Sequence, residues 1–227
     1  MTVLLVLFFF TTFLMIDHFR TRRVVQQALQ VAPAKTVTAT VPRLQAALVG
    51  GFATPENLRY HPGHTWALSE SANLVRVGMD DFASKLTGTV DSIALPQRGQ
   101  WIRQGQKMCT IHRAGVAVDM VSPIEGTVSD INEAVAKNPK LALSDSYGDG
   151  WLITVNAPDA KTSFRNLLGG PLARWWMEES ASRLQRRIPA AMQFAGALAQ
   201  DGGEAVNVSS QIPEQEWLPV AKEFFLS

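Results

Sequence analysis

Ser122-Pro123-Ile124-Glu125-Gly126-Thr127-Val128-Ser129-Asp130-Ile131-Asn132 is the stretch that decides the fold. Proline has no backbone N–H to offer a ladder, so Pro123 marks a turn before a strand. From Gly126 apolar and polar residues alternate, the period of a half-buried strand. Asn132 then opens a short helical segment to Ala136, followed by Asn138-Pro139. The same pattern occurs earlier as Gly88-Thr89-Val90-Asp91-Ser92-Ile93. A short repeat of this kind arises when two similar β halves pack face to face.

Working outward, short β-prone runs fill the middle of the chain. They are Trp66 to Leu68, Leu74 to Val77, Thr89 to Ala94, Lys107 to His112, Val116 to Val121, Gly126 to Asn132 and Trp151 to Val155. Glycines punctuate them, which is the texture of a sandwich or barrel. One helix, Asp80 to Leu86, interrupts the strands, and Asp80 or Asp81 is placed to cap it.

The order of these pieces resembles the glycine cleavage system H-protein family. Tyr60 with His64 and Trp66 come first, then Val77-Gly78-Met79-Asp80-Asp81-Phe82-Ala83, Leu86, Gly88 and Val90. Leu95-Pro96, Gly99 and Gly105 follow, then Asp119, Pro123 to Val128 and Asn132. Asn138-Pro139, Leu141 and Tyr147-Gly148-Asp149-Gly150-Trp151 close the match. The resemblance implies a mainly β, lipoyl-like barrel-sandwich hybrid, ending in a short helix soon after Asp159. It also implies a lipoyl group carried on a lysine at a β-hairpin tip, eight residues before the proline matched by Pro123. That position is Gly115, and His112 stands where an acidic residue is expected. Lys107 is the only lysine between Arg103 and Pro123, and it belongs to the strand leading to the tip. Lys85, Lys137 and Lys140 fall on helix or loop segments. No lipoyl cofactor is therefore expected. Gly115 reads as a residue chosen for a tight turn, and His112, Arg113 and Gly115 form a candidate interaction tip for an acidic partner.

Composition excludes several other classes. Lys+Arg 21 against Asp+Glu 20 lacks the basic excess of a nucleic-acid binder. A single cysteine, Cys109, excludes an internal disulfide framework, and in its strand it reads as a buried thiol. His61 and His64 flank a Pro-Gly turn with no third ligand nearby, so no metal site is expected. Asp145, Tyr147 and Asp149 suggest a calcium loop, but the glutamate that closes one is absent. No catalytic constellation is found, and the chain does not read as an enzyme.

The flanks carry the remaining expectations. Val3 to Ile16 is apolar apart from Thr11 and Thr12, with Arg20, Arg22 and Arg23 behind it. Residues 1–30 are read as a membrane anchor helix with a juxtamembrane basic segment, single-pass, with a cytoplasmic body. Residues 31–55 are read as a linker with a short amphipathic piece over Val41 to Val49, ahead of the β domain at 56–160. Pro171 to Gln200 is a helical candidate within an extension at 161–200, with Leu172, Trp176, Leu184, Ile188 and Met192 as its stripe. Its arginine excess suits either an anionic membrane or packing on the body. The acidic tail, 201–227, ends in Trp217, Leu218, Phe224 and Phe225, which either form a docking segment or cover the chain's own core.

The reading reached is a membrane-anchored, non-lipoylated H-protein-like binding or scaffold subunit. Its expected partners are membrane lipid and other protein subunits, with no nucleic acid. The alternatives are an H-protein-related carrier or regulator of glycine cleavage, and an adaptor in membrane transport.

Overall fold

The computed structural model describes residues 46–188, 205 and 208–226. All of them fall in one compact unit, Arg43–Ser227. The expected membrane anchor lies outside the described residues, as does the segment after Ile188 that contains Pro189 and Met192. Among the described residues no helix is long and apolar enough to cross a membrane.

The described residues form eleven strands and six α-helices. A hairpin of β1 (Ala46–Val49) and β2 (Phe52–Pro55) stands first. A six-stranded sheet runs in the order β3-β4-β5-β11-β10-β7. Its members are β3 (Arg59–His61), β4 (Thr65–Ser69), β5 (Leu74–Met79), β7 (Trp101–Ile102), β10 (Gly126–Ile131) and β11 (Ile153–Asn156). A three-stranded sheet, β6-β8-β9, contains β6 (Ser92–Ala94), β8 (Lys107–Arg113) and β9 (Val116–Val121). All pairings are antiparallel. The two copies of the sequence repeat enter different sheets, the first through β6 and the second through β10.

Helix α1 (Asp81–Thr87) has Asp80 as its N-cap, with Asp80 Oδ accepting from Ala83 N at 2.8 Å. Helix α2 (Glu133–Lys137) is capped by Asn132, whose Oδ1 accepts from Ala134 N and Val135 N. Helices α3 (Lys140–Ser144) and α4 (Ala160–Arg165) are short. Helix α5 (Gly170–Arg187) and helix α6 (Glu214–Phe225) make up the C-terminal part.

The flanks depart from expectation in the linker and in the stripe of the long helix, and in the tail they follow one of the two alternatives, cover of the chain's own core. The linker expected over 31–55 does not reach the β domain: residues 46–55 are the β1–β2 hairpin, and Phe52 is wholly buried in the main core. The end of the amphipathic piece is strand β1. Gly50 (φ +57) and Gly51 (φ +87) make its turn, and a Cβ on Gly50 would sit 2.6 Å from the Ala181 side chain.

Helix α5 buries Ala173, Met177, Ser180, Ala181 and Leu184; of the expected stripe, Leu184 and Ile188 are buried and Trp176 packs against the core. Leu172 is 54% exposed, and Ser180, read as an interruption, lies on the buried face. A strict four-residue spacing drifts around a helix of 3.6 residues per turn, whereas 173, 177, 180 and 184 hold one face. Small residues there let the β1–β2 hairpin approach.

The tail helix packs on its own domain. Trp217, Phe224 and Phe225 are buried in the main core, and Leu218 packs against it. The indole Nε1 of Trp217 donates to Leu86 O at 2.8 Å. These residues are not an exposed docking segment. Burying three aromatic side chains is worth several kcal/mol at about 1.5–3 kcal/mol each, which explains why the segment seats on the body.

Candidate functional site: a hairpin tip and a histidine clasp

Strands β8 and β9 form a hairpin whose register runs to Arg113↔Val116, leaving Ala114 and Gly115 as a two-residue loop. Both have positive φ, +48 and +80. That is the twist-matched turn that favours glycine at its second position. Gly115 is exposed, and a Cβ added to it would meet nothing within 4 Å. The loop is held from the side: Ala114 N donates to Asp91 Oδ2 at 2.7 Å, and Asp91 N donates to His112 O at 2.8 Å.

The rest of the expected tip divides. His112 is half-buried and pairs with Ser92 of β6. The Arg113 guanidinium lies over the Trp217 ring, 4.5 Å from its centre. Burial pulls this guanidinium below its usual pKa, while Glu214 acts in the opposite direction. Arg113 Nη1 is buried with no hydrogen-bond partner among the described residues. Of the three residues read as an interaction tip, Gly115 alone is fully exposed; Arg113 is drawn back to serve the tail helix.

The tip does not fit a lipoyl group. Amide attachment needs a primary amine, and Gly115 has none. Lys107 stands at the opposite end of β8, with its Nζ 2.8 Å from Asp119 Oδ1.

A second cluster sits beneath the tail. His64 has φ +59 and is buried; its Nδ1 lies 2.8 Å from Asp80 Oδ2. Phe82 stacks on the imidazole at 4.0 Å between centroids, Trp176 lies at 4.6 Å and Phe224 at 5.9 Å. Asp80 thus caps α1 with one carboxylate oxygen and fixes His64 with the other. His64 Nε2 has no partner among the described residues. The neighbouring His61 accepts at Nδ1 from Gly63 N at 3.0 Å. Burial, and then the nearby His64, hold His61 below the usual imidazole pKa.

Nearby, the Tyr147 hydroxyl donates to Ala53 O at 2.6 Å and accepts from Asp81 N at 3.0 Å. These two bonds tie β2 to the start of α1, and burial raises the hydroxyl's pKa. The loop expected as a structural turn is one: Asp145 accepts from Gly148 N and Asp149 N. Among the described residues no three His, Cys, Asp or Glu converge on a metal-sized site.

A family model described as "Glycine cleavage H-protein" matches residues 58–177. The chain belongs to the glycine cleavage H-protein family. The H-protein of Alteromonas mediterranea is 36% identical over 106 residues, which cover 47% of this chain and 82% of that protein. The H-protein of Xanthomonas oryzae pv. oryzae is 33% identical over 114 residues, covering 50% and 86%. A solved H-protein from Mycobacterium marinum aligns at TM-score 0.43 and 25% identity, over 45% of this chain and 85% of its own. The H-protein match begins three residues after the β1–β2 hairpin and ends inside α5. The rest of α5 and all of α6 lie beyond it, yet they supply Leu184, Trp217 and Phe224 to the same core.

Sequence reasoning missed two things within this H-protein body. The clasp of His64 on Asp80 joins residues on separate elements, and only the family order of Tyr60, His64 and Trp66 hinted at a role. The second is an exposed tryptophan, Trp101, on the edge strand β7; a two-residue strand is too short to show periodicity.

Proposed function

We propose that this protein is a membrane-anchored, non-lipoylated binding or scaffold subunit that has kept the H-protein body and given up the carrier role. The observation that carries the reading is Gly115: an exposed turn residue without an amine, at the hairpin tip where the family resemblance implies the lipoyl lysine. Two further features support it. The tip is braced by Asp91 on one side, and Arg113 beside it is engaged with Trp217. A turn held from the side in this way is already ordered before a partner docks on it. The chemistry of a stiff β module with additional helices is that of a docking platform, with other protein subunits as partners.

The anchor rests on the apolar run Val3 to Ile16 and the arginines behind it, which favour a body on the cytoplasmic side. Helix α5 contributes less to membrane contact than its composition suggests. Arg174 faces Glu56, Arg186 faces Glu179, and Arg183 and Arg187 both face Glu223. Its four arginines are paired within the protein.

A regulatory part in glycine cleavage is the second reading, favoured by the family match itself. One experiment separates the two. The full chain is purified from native membranes in mild detergent, and its intact mass and co-purifying proteins are read together. An unmodified chain with a stable set of membrane subunits is the expected result. A lipoyl adduct on any lysine ends the scaffold reading, and glycine cleavage enzymes in the eluate transfer it to the second.

A further inference from the structure

A cleft of about 360 Å³ opens between the edge strand β7 and helix α4, away from the residues used above. Trp101, Gln104, Glu125, Asp159, Ser163 and Asn166 line it.

The walls are fixed by side-chain amides. Gln104 Nε2 donates to Pro123 O at 2.8 Å and to Ser163 O at 2.9 Å. Its Oε1 accepts from Asn166 Nδ2 at 2.8 Å. This clasp ties α4 to the turn before β10, so the cleft is formed before anything enters it. Pre-formed concave sites lose less on binding than sites that must order themselves.

The groups left facing the opening are an aromatic face and two carboxylates. Trp101 is 52% exposed, although its strand neighbour Ile102 is buried. The Glu125 backbone N–H is directed to Ser163 Oγ, while its carboxylate has no partner among the described residues. Asp159 Oδ1 accepts only the Thr162 hydroxyl, at 2.9 Å. The lining contains no cationic side chain. An indole face flanked by unpaired carboxylates attracts a cation twice, through the ring quadrupole and through charge. Arginine suits it best, because its planar guanidinium stacks on an aromatic face and offers forked donors to a carboxylate.

We infer that this cleft receives an arginine side chain from a basic segment of a partner protein, held between Trp101 and the carboxylates of Glu125 and Asp159. The site is separate from the hairpin tip and does not depend on what the tip does.

The probe is a fluorescein-labelled peptide, Gly-Arg-Gly-Arg-Gly-Arg-Gly, titrated with the full chain in a nonionic detergent at low salt and read by anisotropy. Binding is expected, weakening as salt is raised. Trp101→Ala and Glu125→Gln should each weaken it by about two- to fivefold. Both residues are at the surface, so the variants should melt with the wild type, and Glu178→Gln, on α5, serves as the neutral control. Three results overturn the proposal: no binding of the basic peptide, equal binding by wild type and both variants, or equal binding of a peptide with glutamate in place of arginine. Displacement by free arginine at the same concentration as by unlabelled peptide also overturns it, since the cleft would then be a small-molecule site.

Discussion

The Arg113 guanidinium rests on the Trp217 indole at 4.5 Å, and the same indole donates to Leu86 O. One residue of the tail thereby holds both the hairpin and the end of α1. Trp217→Ala removes a buried aromatic side chain, which costs about 3–5 kcal/mol, and frees Arg113. The expected outcome is a much lower melting temperature, with new protease cleavage in the tail. A variant that melts within a degree or two of wild type would mean that α6 is not part of the core.

Gly115 gives a contrasting expectation. A lysine there meets open space, but φ +80 is a left-handed conformation, which costs a side-chain-bearing residue roughly 1–2 kcal/mol. Gly115→Lys should therefore fold and melt about 2–8 °C lower. Offered a lipoyl ligase, the wild type should show no adduct by intact mass, and any adduct on the variant should map to residue 115. Modification of the wild type would refute the loss of the carrier role.

Asp80 has two duties, and Asp80→Ala removes both. The cap is worth about 1 kcal/mol, and stranding the buried His64 N–H costs about 1–3 kcal/mol more. Chemical denaturation should show a loss of about 2–4 kcal/mol. Asp80→Asn, which can still cap α1, should recover part of it. Equal losses in the two variants would assign the whole effect to the histidine contact.

The bridge from α6 to α5 sets a pH dependence. Arg183, and with it Arg187, holds the Glu223 carboxyl below the usual glutamate range. A depressed folded-state pKa contributes stability above the unfolded value, and that contribution is lost as pH falls through the folded one. Glu223→Gln should therefore be less stable than wild type at pH 7, with the gap closing from about pH 5 downward. A gap that stays constant from pH 7 to pH 3 would contradict the bridge.

Cys109 is buried, and burial raises its thiol pKa to about 12. Thiolate, not thiol, reacts with alkylating agents. Labelling at neutral pH should be negligible in the native protein and complete after denaturation.

Much of this body was legible from residue patterns, because its signals are local. Asn132 is followed at once by a capped helix, and the glycine after Pro123-Ile124-Glu125 starts a strand that alternates as far as Val128, where a register shift leaves Ser129 and Asp130 both exposed. What escaped depends on distance. Phe52 follows a Gly-Gly pair and belongs to a four-residue strand, so nothing nearby reveals that it is fully buried against Phe82. The aromatic residues of α6 announce an amphipathic helix without naming the surface they cover. The arginines of α5 read as basic until their carboxylate partners on other elements are known. Trp101 looks like any strand residue in the sequence, and its exposure follows from lying on a sheet edge.

The late arrival of Trp217 at Leu86, across 131 positions of chain, also bears on synthesis and quality control. The sheets and α1 are translated long before the helix that seals them. Until residues 217–225 emerge, the β9 and α1 surfaces that they cover stay bare and open to chaperones. A chain cut or terminated between α5 and α6 would keep that bare apolar face permanently. A fusion placed directly after Phe225 would burden the helix that closes this face.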